Sequence, residues 1–330
     1  MKHTLKVTIA LVLFFFMAQF AGLLVINHYI DHKKTIEAKA VEWEPLPYGL
    51  ERPEIKNQSY SFIYISIAIL IGTVLVLLLA RFNKPLIWKL WFFATVWLTL
   101  SIAFAAFINN NIPFVAVINA KFLNFAAANI PFLAFIDNIA AAALAFALAM
   151  AKLYKPGIII QNLSEIFIYG GLAAIFVPMI NLFAAFMLLI LISIYDYISV
   201  FKTKHMISLA KFQSQSKVFA GLLIPYGKGR ALAENKITRK TEPLQQKKAR
   251  IAVLGGGDIG FTLIFAGVVM KSLMLQEAVL AGFLKTLIIP VFVSLALLIL
   301  LLKGRQDKFY PAMPVLSIGC FAGYLAVLLV

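Results

Sequence analysis

Four acidic residues lie inside stretches of the sequence that are otherwise apolar: Asp137, Glu165, Asp196 and Asp258. An ionisable side chain in the hydrocarbon region of a bilayer is costly, so each is a candidate functional residue. Asp137 lies near the end of its apolar stretch, where interfacial water can solvate it. Glu165 lies among polar neighbours, which favours hydrogen bonding between helices over catalysis. Asp196 and Asp258 differ from both because their positions predict a shared depth in the membrane.

The spacing of the two aspartates from the nearest basic residues gives that depth. Asp196 is six residues before Lys202, and Asp258 is eight residues after Arg250. In helical conformation they would lie roughly 9 and 12 Å inside the same membrane face. Two carboxyl groups that meet in a low dielectric share a proton. That state suits general acid–base attack of water on an amide, and it equally suits a proton or cation relay in a transporter.

Three glycines, Gly255, Gly256 and Gly257, precede the second aspartate. Each weakens a helix by about 1 kcal/mol relative to alanine, so we expect the start of this helix to bend or open. Missing side chains also let another backbone approach closely. A protease requires this, because its substrate is held in an extended form by main-chain hydrogen bonds. Tight helix packing through small residues would explain the same composition.

Two further motifs fall at the predicted depth of the aspartates. Tyr195 precedes Asp196, and its hydroxyl is expected either to anchor the helix at the interface or to donate to a carboxylate. The last apolar stretch opens with Pro311, Ala312, Met313 and Pro314. Two prolines in four residues cannot continue a helix, although proline is suited to a first turn.

The apolar stretches that must position these residues extend over the whole chain. The 330 residues are 62% hydrophobic and 13% charged, which excludes an ordinary soluble enzyme. Stretches of roughly 20 apolar residues predict an all-α polytopic membrane protein with about nine transmembrane helices in a single integral domain. Residues 114–131 are predicted to form an interfacial or re-entrant segment. The predicted spans are about 5–30, 60–80, 85–107, 131–153, 157–178, 180–201, 251–270, 279–302 and 311–330.

Positive charge is concentrated between the two aspartates. The net charge is +16, and residues 202–250 hold twelve Lys or Arg and two Glu. Such a loop is better explained by retention in the cytoplasm, beside anionic lipid, than by nucleic-acid binding. We therefore predict a multi-pass protein of the cell membrane with the N-terminus and this loop cytoplasmic and the C-terminus outside. Residues 1–178 would hold five helices and an outer loop at 31–59, and residues 179–330 the four catalytic helices.

The sequence lacks the motifs of zinc-dependent and serine-type intramembrane proteases. The four histidines include no His-Glu-x-x-His pair for zinc, and no Gly-x-Ser motif suggests a serine nucleophile. The single cysteine, Cys320, excludes an intramolecular disulfide and a thiolate metal cluster.

The three aspartate and proline motifs together resemble the presenilin and signal peptide peptidase family of intramembrane aspartyl proteases. That family has Tyr-Asp on its sixth helix, Gly-x-Gly-Asp on its seventh and Pro-Ala-Leu at the start of its ninth. The matching segments here are Tyr195-Asp196, Gly255-Gly256-Gly257-Asp258 and Pro311-Ala312-Met313. Met313 replaces leucine and conserves its volume roughly. The likeness is to a microbial, archaeal presenilin-like member. Prepilin peptidases share Gly-x-Gly-Asp but have neither the Pro-Ala motif nor nine spans.

The resemblance implies hydrolysis of peptide bonds within the transmembrane helix of a substrate protein. Asp196 and Asp258 would share the roles of general acid and general base. Tyr195, the glycines 255–257 and the residues from Pro311 to Pro314 would shape the substrate cleft. The resemblance implies no metal, no organic cofactor and no obligatory partner subunit. A proton- or ion-coupled transporter that uses the same aspartate pair is the alternative function.

Overall fold

The structure is a computed structural model of the chain. It describes residues 5–32, 34–35, 40–53, 55, 57–82, 84–108, 131–155, 157–202, 212–213, 216, 218–226, 250–304 and 310–330. The predicted interfacial segment 114–131 and most of the basic loop 202–250 lie outside the described residues, as does the side chain of Asp137.

The described part of the chain is a bundle of apolar helices. Seven of them are long and apolar enough to cross a membrane, and two shorter ones, Asn138–Tyr154 and Met313–Leu329, bring the set to nine. The predicted all-α polytopic fold is therefore confirmed. The helices are α1 (Leu5–His28), α2 (Ser61–Arg81), α3 (Pro85–Ile108), α4 (Pro131–Tyr154), α5 (Ile158–Phe176), α6 (Leu182–Phe201), α7 (Gly256–Leu273), α8 (Val279–Lys303) and α9 (Met313–Leu329).

Local sequence explains several helix ends. Proline is the first residue of α3 and of α4, where its missing N–H costs no hydrogen bond. Asn181 caps α6, because its side-chain oxygen accepts the N–H of Ala184 at 2.9 Å. Within α8, regular helix breaks at Leu287 into Val279–Thr286 and Ile288–Lys303. Pro290 explains this break, since it has no N–H to bond the carbonyl of Thr286.

A two-stranded antiparallel sheet precedes α7, which corrects the predicted seventh span. Strand β1 (Gly221–Tyr226) pairs with strand β2 (Arg250–Gly255), and Gly221 lies opposite Gly255. Residues 251–255 were expected to be helical but form β2, and α7 begins only at Gly256. The cause is the glycine run, which disfavours helix and allows an abrupt change from strand to helix.

Helix α1 lies at the centre of the bundle and α2 at its edge. Helix α1 packs against α5, α7, α8 and β1, and its Leu11 and Phe15 are completely buried. Helix α2 packs mainly against α6, and most of its surface is exposed. Helices α6, α7 and α9 contact one another. These three helices carry the motifs that sequence analysis selected.

Candidate active site

An aromatic cluster holds α6, α7 and α9 together. Phe186 of α6 lies 5.1 Å from Phe265 of α7 and 5.1 Å from Phe321 of α9, measured between ring centroids. Phe265 and Phe321 are 6.0 Å apart and complete the triangle. Ser193 and Ser317 add a 2.8 Å hydrogen bond between α6 and α9. Buried aromatic pairs of this kind contribute roughly 0.5–1.5 kcal/mol each beyond the area they bury.

Asp196 lies near the end of α6 and binds the start of α9. Its side chain is only 6% exposed, and its Oδ2 accepts the backbone N–H of Met313 at 3.1 Å. The first N–H groups of a helix have no partner within that helix, and the helix dipole favours negative charge there. No side chain of its own caps α9, so the carboxylate of Asp196 satisfies this end. The Pro311-Ala312-Met313-Pro314 motif therefore contacts the aspartate directly.

Asp258 occupies the first turn of α7, immediately after β2. Its carboxyl group faces back to the backbone of Gly255, the N-cap residue. This is the acidic half of a capping box. Thr262 donates its hydroxyl to the backbone oxygen of Asp258 at 2.8 Å. Gln19 of α1 donates in turn to the hydroxyl of Thr262 at 2.8 Å, so a buried polar chain braces this turn.

The structure brings the two aspartates together at one end of the bundle. Helix α6 packs against α7, and the two carboxyl groups lie at the end of the bundle where α6 ends and α7 begins. Each carboxyl group also lies at a helix N-terminus: Asp258 in its own helix and Asp196 at α9. The depth predicted for Asp258 assumes helix from Arg250 onward. Residues 250–255 instead form β2, and this strand leads directly to the helical turn that carries Asp258.

The three glycines before Asp258 have different surroundings. A Cβ at Gly255 would lie 3.2 Å from Oδ2 of Asp258, and a Cβ at Gly257 would meet only the ring of Phe261, at 3.6 Å. A Cβ at Gly256 would lie 2.2 Å from the hydroxyl oxygen of Tyr169 on α5. Close approach thus requires glycine most strictly at Gly256.

Tyr195 and Ser199 of α6 form hydrogen bonds with Thr73 and with the backbone, respectively. The hydroxyl of Tyr195 forms a 3.0 Å hydrogen bond with Thr73 of α2. Ser199 donates to the backbone oxygen of Asp196 at 2.9 Å rather than to a carboxylate. Tyr195 therefore links the aspartate helix to the peripheral helix α2.

Strand β2 connects the sheet directly to the helical turn that carries Asp258. Ala252 and Leu254 are buried, whereas Val253 between them is exposed, as expected for a strand with one covered face. The N–H of Gly256 continues the pairing by bonding the carbonyl of Ala220 at 3.3 Å. Gly221 has φ +142°, and a Cβ there would lie 2.2 Å from the carbonyl oxygen of Leu254. Sequence analysis placed β1 in the basic loop 202–250 and most of β2 in the seventh span.

A cavity of about 980 Å³ lies at the opposite end of the bundle, beside the C-terminal end of α5. Arg52 lines it and lies over the rings of Tyr29 and Trp43, at 5.8 and 5.7 Å from their centroids. Burial lowers the pKa of the Arg52 guanidinium from its ordinary value and raises the pKa of Tyr29. This cavity is remote from both aspartates.

No group of three or more His, Cys, Asp or Glu side chains that could hold a metal ion occurs among the residues the structure describes.

Comparison with known families decides the identity of this arrangement. The family model of signal-peptide peptidase, presenilin aspartyl protease, matches residues 47–330, which include both aspartates and the proline motif. The chain belongs to the signal-peptide peptidase and presenilin aspartyl protease family. The resemblance that the three motifs indicated is thereby confirmed. Among curated proteins, a sequence search found no match.

Two solved structures share the fold of this family member. Both are described as structures of a presenilin family intramembrane aspartate protease, one in space group P2 and the other in C222. The first has 20% sequence identity and a TM-score of 0.55, and the alignment covers 97% of this chain and 96% of that one. The second has 19% identity and a TM-score of 0.56, with 98% of each chain covered. The fold therefore extends through α1, which lies before the residues that the family model matches.

Proposed function

We propose that this family member is an intramembrane aspartic endopeptidase that hydrolyses peptide bonds within the transmembrane helices of substrate proteins. The observation that supports this most is the placement of Asp196 and Asp258 at the same end of an apolar bundle, each at a helix N-terminus. Family membership makes proteolysis the expected use of such a pair.

In the proposed reaction, the two carboxyl groups share one proton and hold a water molecule between them. The ionised carboxylate accepts a proton from this water, whose oxygen attacks the carbonyl carbon of the scissile amide. The protonated carboxyl group donates its proton to the carbonyl oxygen. Collapse of the tetrahedral intermediate then breaks the C–N bond and transfers a proton to the leaving amine. Either aspartate can start as the base.

The exposed edge of β2 is suited to hold the substrate. Within the described residues β2 pairs only with β1, so its other edge presents free main-chain groups beside Asp258. An unwound substrate segment could add to this edge as a further strand. Gly257, which is exposed, and the proline motif near Met313 would leave room for that segment. A helix must unwind before its amide can be attacked, and main-chain bonds to β2 would offset that cost.

We place the N-terminus and the 202–250 loop in the cytoplasm and the C-terminus outside, because the twelve basic residues of that loop favour the inner side. The proposed partners are the transmembrane helix of a substrate protein and membrane lipid. The proposed reaction requires no cofactor, nucleic acid or partner subunit.

The test is a cleavage assay in detergent with a single-span substrate. Purified wild type, Asp196→Ala and Asp258→Ala would be run together with Glu277→Ala, which removes an acidic residue of the turn between α7 and α8. We expect product from wild type and Glu277→Ala only. Persisting cleavage by folded Asp258→Ala would overturn the proposal. If no variant cleaves but the wild type carries protons or cations across proteoliposomes, the transporter function replaces it.

A further inference from the structure

Three buried polar residues of α4 and α5 have no part in the proposed reaction. Lys152, Glu165 and Tyr169 are 4%, 1% and 5% exposed. Lys152 forms an ion pair with Oε1 of Glu165, and the hydroxyl of Tyr169 donates to Oε2. Gln161 donates to Oε1 as well, at 3.0 Å. Both carboxylate oxygens of Glu165 are thus bonded to protein groups, which argues against a direct catalytic role.

The ring of Tyr169 lies against the first turns of the helix that carries Asp258. A Cβ on Gly256 would come within 2.2 Å of its hydroxyl oxygen and 3.0 Å of Cζ. A Cβ on Gly260, one turn later, would lie at an ordinary 3.5 Å from Cδ1. Asp258 lies between these two glycines in sequence. Tyr169 therefore fills the space that a side chain at Gly256 would otherwise occupy.

The same part of α5 also holds the strand that leads to Asp258. Gln161 donates to the carbonyls of Phe219 and Gly221, both at 2.9 Å. Asn162 donates to the carbonyl of Leu223 at 2.8 Å and accepts its N–H at 2.9 Å. Strand β1 is thereby fixed to α5, and its partner β2 continues directly into α7. Helix α5 thus fixes the position of Asp258 through the sheet before it and through Tyr169 beside it.

We propose that Tyr169, oriented by the ion pair of Lys152 and Glu165, is a positioning residue for Asp258, and that Gly256 is glycine so that this ring can lie against α7. Gly256 is the variable position x of the Gly-x-Gly-Asp motif. Because x is glycine here, the ring of Tyr169 occupies the space that a side chain at x would fill. The inference rests on the proposed function, because positioning matters only where Asp258 reacts.

Two matched glycine substitutions test the contact in the cleavage assay. Gly256→Ala must displace Tyr169, whereas Gly260→Ala introduces the same methyl group on the same helix without a clash. A displacement of about 1 Å can cost on the order of 100-fold in rate, so we expect kcat of Gly256→Ala to fall by about that factor with KM unchanged. Gly260→Ala should stay within about twofold of wild type.

Substitutions of Tyr169 separate positioning from folding. Tyr169→Phe keeps the ring and loses only the hydroxyl, so it should fold and lose kcat to a smaller extent than Gly256→Ala. Adding Tyr169→Phe to Gly256→Ala removes the atom nearest the new methyl group and should restore part of kcat. If Tyr169 had only a structural role, its substitutions would lower the unfolding temperature. They would then not lower kcat alone, and Tyr169→Phe would not restore kcat in the Gly256→Ala protein.

A crosslinking readout does not depend on activity. Asp196→Cys and Asp258→Cys, in a Cys320→Ser background, would be joined by a short reagent that carries two thiol-reactive methanethiosulfonate groups. We expect Gly256→Ala or Tyr169→Ala to lower the yield several-fold and Gly260→Ala to leave it unchanged. If the wild type cleaves no substrate, the proposed function fails while this arm still measures the position of Asp258. Unchanged kcat and crosslinking in Tyr169→Ala, or equal damage from the two glycine substitutions, would overturn the inference.

Discussion

Lys152 and Glu165 form an ion pair between α4 and α5 with both side chains almost completely buried. Removing one partner of such a pair leaves an uncompensated charge in a low dielectric, which is costly. A second ion pair, between Lys285 and Glu277, has the same chemistry, but its side chains are 26% and 28% exposed. The two pairs therefore offer a comparison in which burial is the main difference.

We predict that Glu165→Ala lowers the free energy of unfolding by about 3–5 kcal/mol, because Lys152 loses its counter-ion. Replacing both residues, with Lys152→Met and Glu165→Leu, should recover much of this loss. Glu277→Ala should cost no more than about 1 kcal/mol, since water solvates Lys285. Unfolding of the purified protein in mixed detergent micelles measures all three values. Equal losses for Glu165→Ala and Glu277→Ala would contradict the assigned burial.

Sequence analysis selected both aspartates and the Met313 motif that Asp196 binds, but not Lys152 or Tyr169. Asp196 and Asp258 are conspicuous because charges within apolar spans are rare. Lys152 lies at the end of the predicted span 131–153, where lysine usually extends to the interface. Its pairing with Glu165, like the contact of Tyr169 with Gly256, depends on tertiary packing that no spacing in the sequence indicates.

At the scale of elements, the β1–β2 sheet determines where α7 begins. Gly221 closes this sheet, since its φ of +142° and its contact with the carbonyl of Leu254 both require glycine. Residues 222–224 and 251–254 are short apolar runs, but the first lies within the basic loop and the second is continuous with the predicted seventh span, so neither indicated a strand. Apolar length, in contrast, predicted the spans well, because each must cross the same bilayer thickness.

We predict that Gly221→Ala lowers the cleavage rate at least tenfold by disrupting the register between β1 and β2, while most of the helical bundle stays folded. Gly72→Ala is the matched control: a Cβ at this helical position meets nothing within 4 Å, so the variant should be neutral or slightly stabilising. Cleavage rate and thermal unfolding would be measured for both. A Gly221→Ala protein with the wild-type rate would show that the sheet has no role in catalysis.

At the scale of the whole molecule, the proposed orientation rests on charge. In that orientation the 202–250 loop, with its basic residues, would lie in the cytoplasm, and the aspartate end of the bundle would lie on the same side. Glu51, on the segment between α1 and α2, is exposed near the opposite end.

We predict that Ser214→Cys, in a Cys320→Ser background, is labelled by a membrane-impermeant thiol reagent only after the cytoplasmic side is opened. Glu51→Cys should be labelled in intact cells. The two single-cysteine variants serve as controls for each other, because they test opposite faces with one reagent. Labelling of Ser214→Cys in intact cells, with Glu51→Cys protected, would reverse the proposed orientation.

The most direct test of the central claim is mass spectrometry of the cleavage products formed in water labelled with heavy oxygen. Wild type and Asp258→Asn, which preserves the shape of the side chain, would be incubated with the same single-span substrate. The two-aspartate mechanism predicts a new C-terminus within the apolar span, with one labelled oxygen in its carboxylate, from wild type alone. The same product from Asp258→Asn, or cleavage only outside the span, would contradict it.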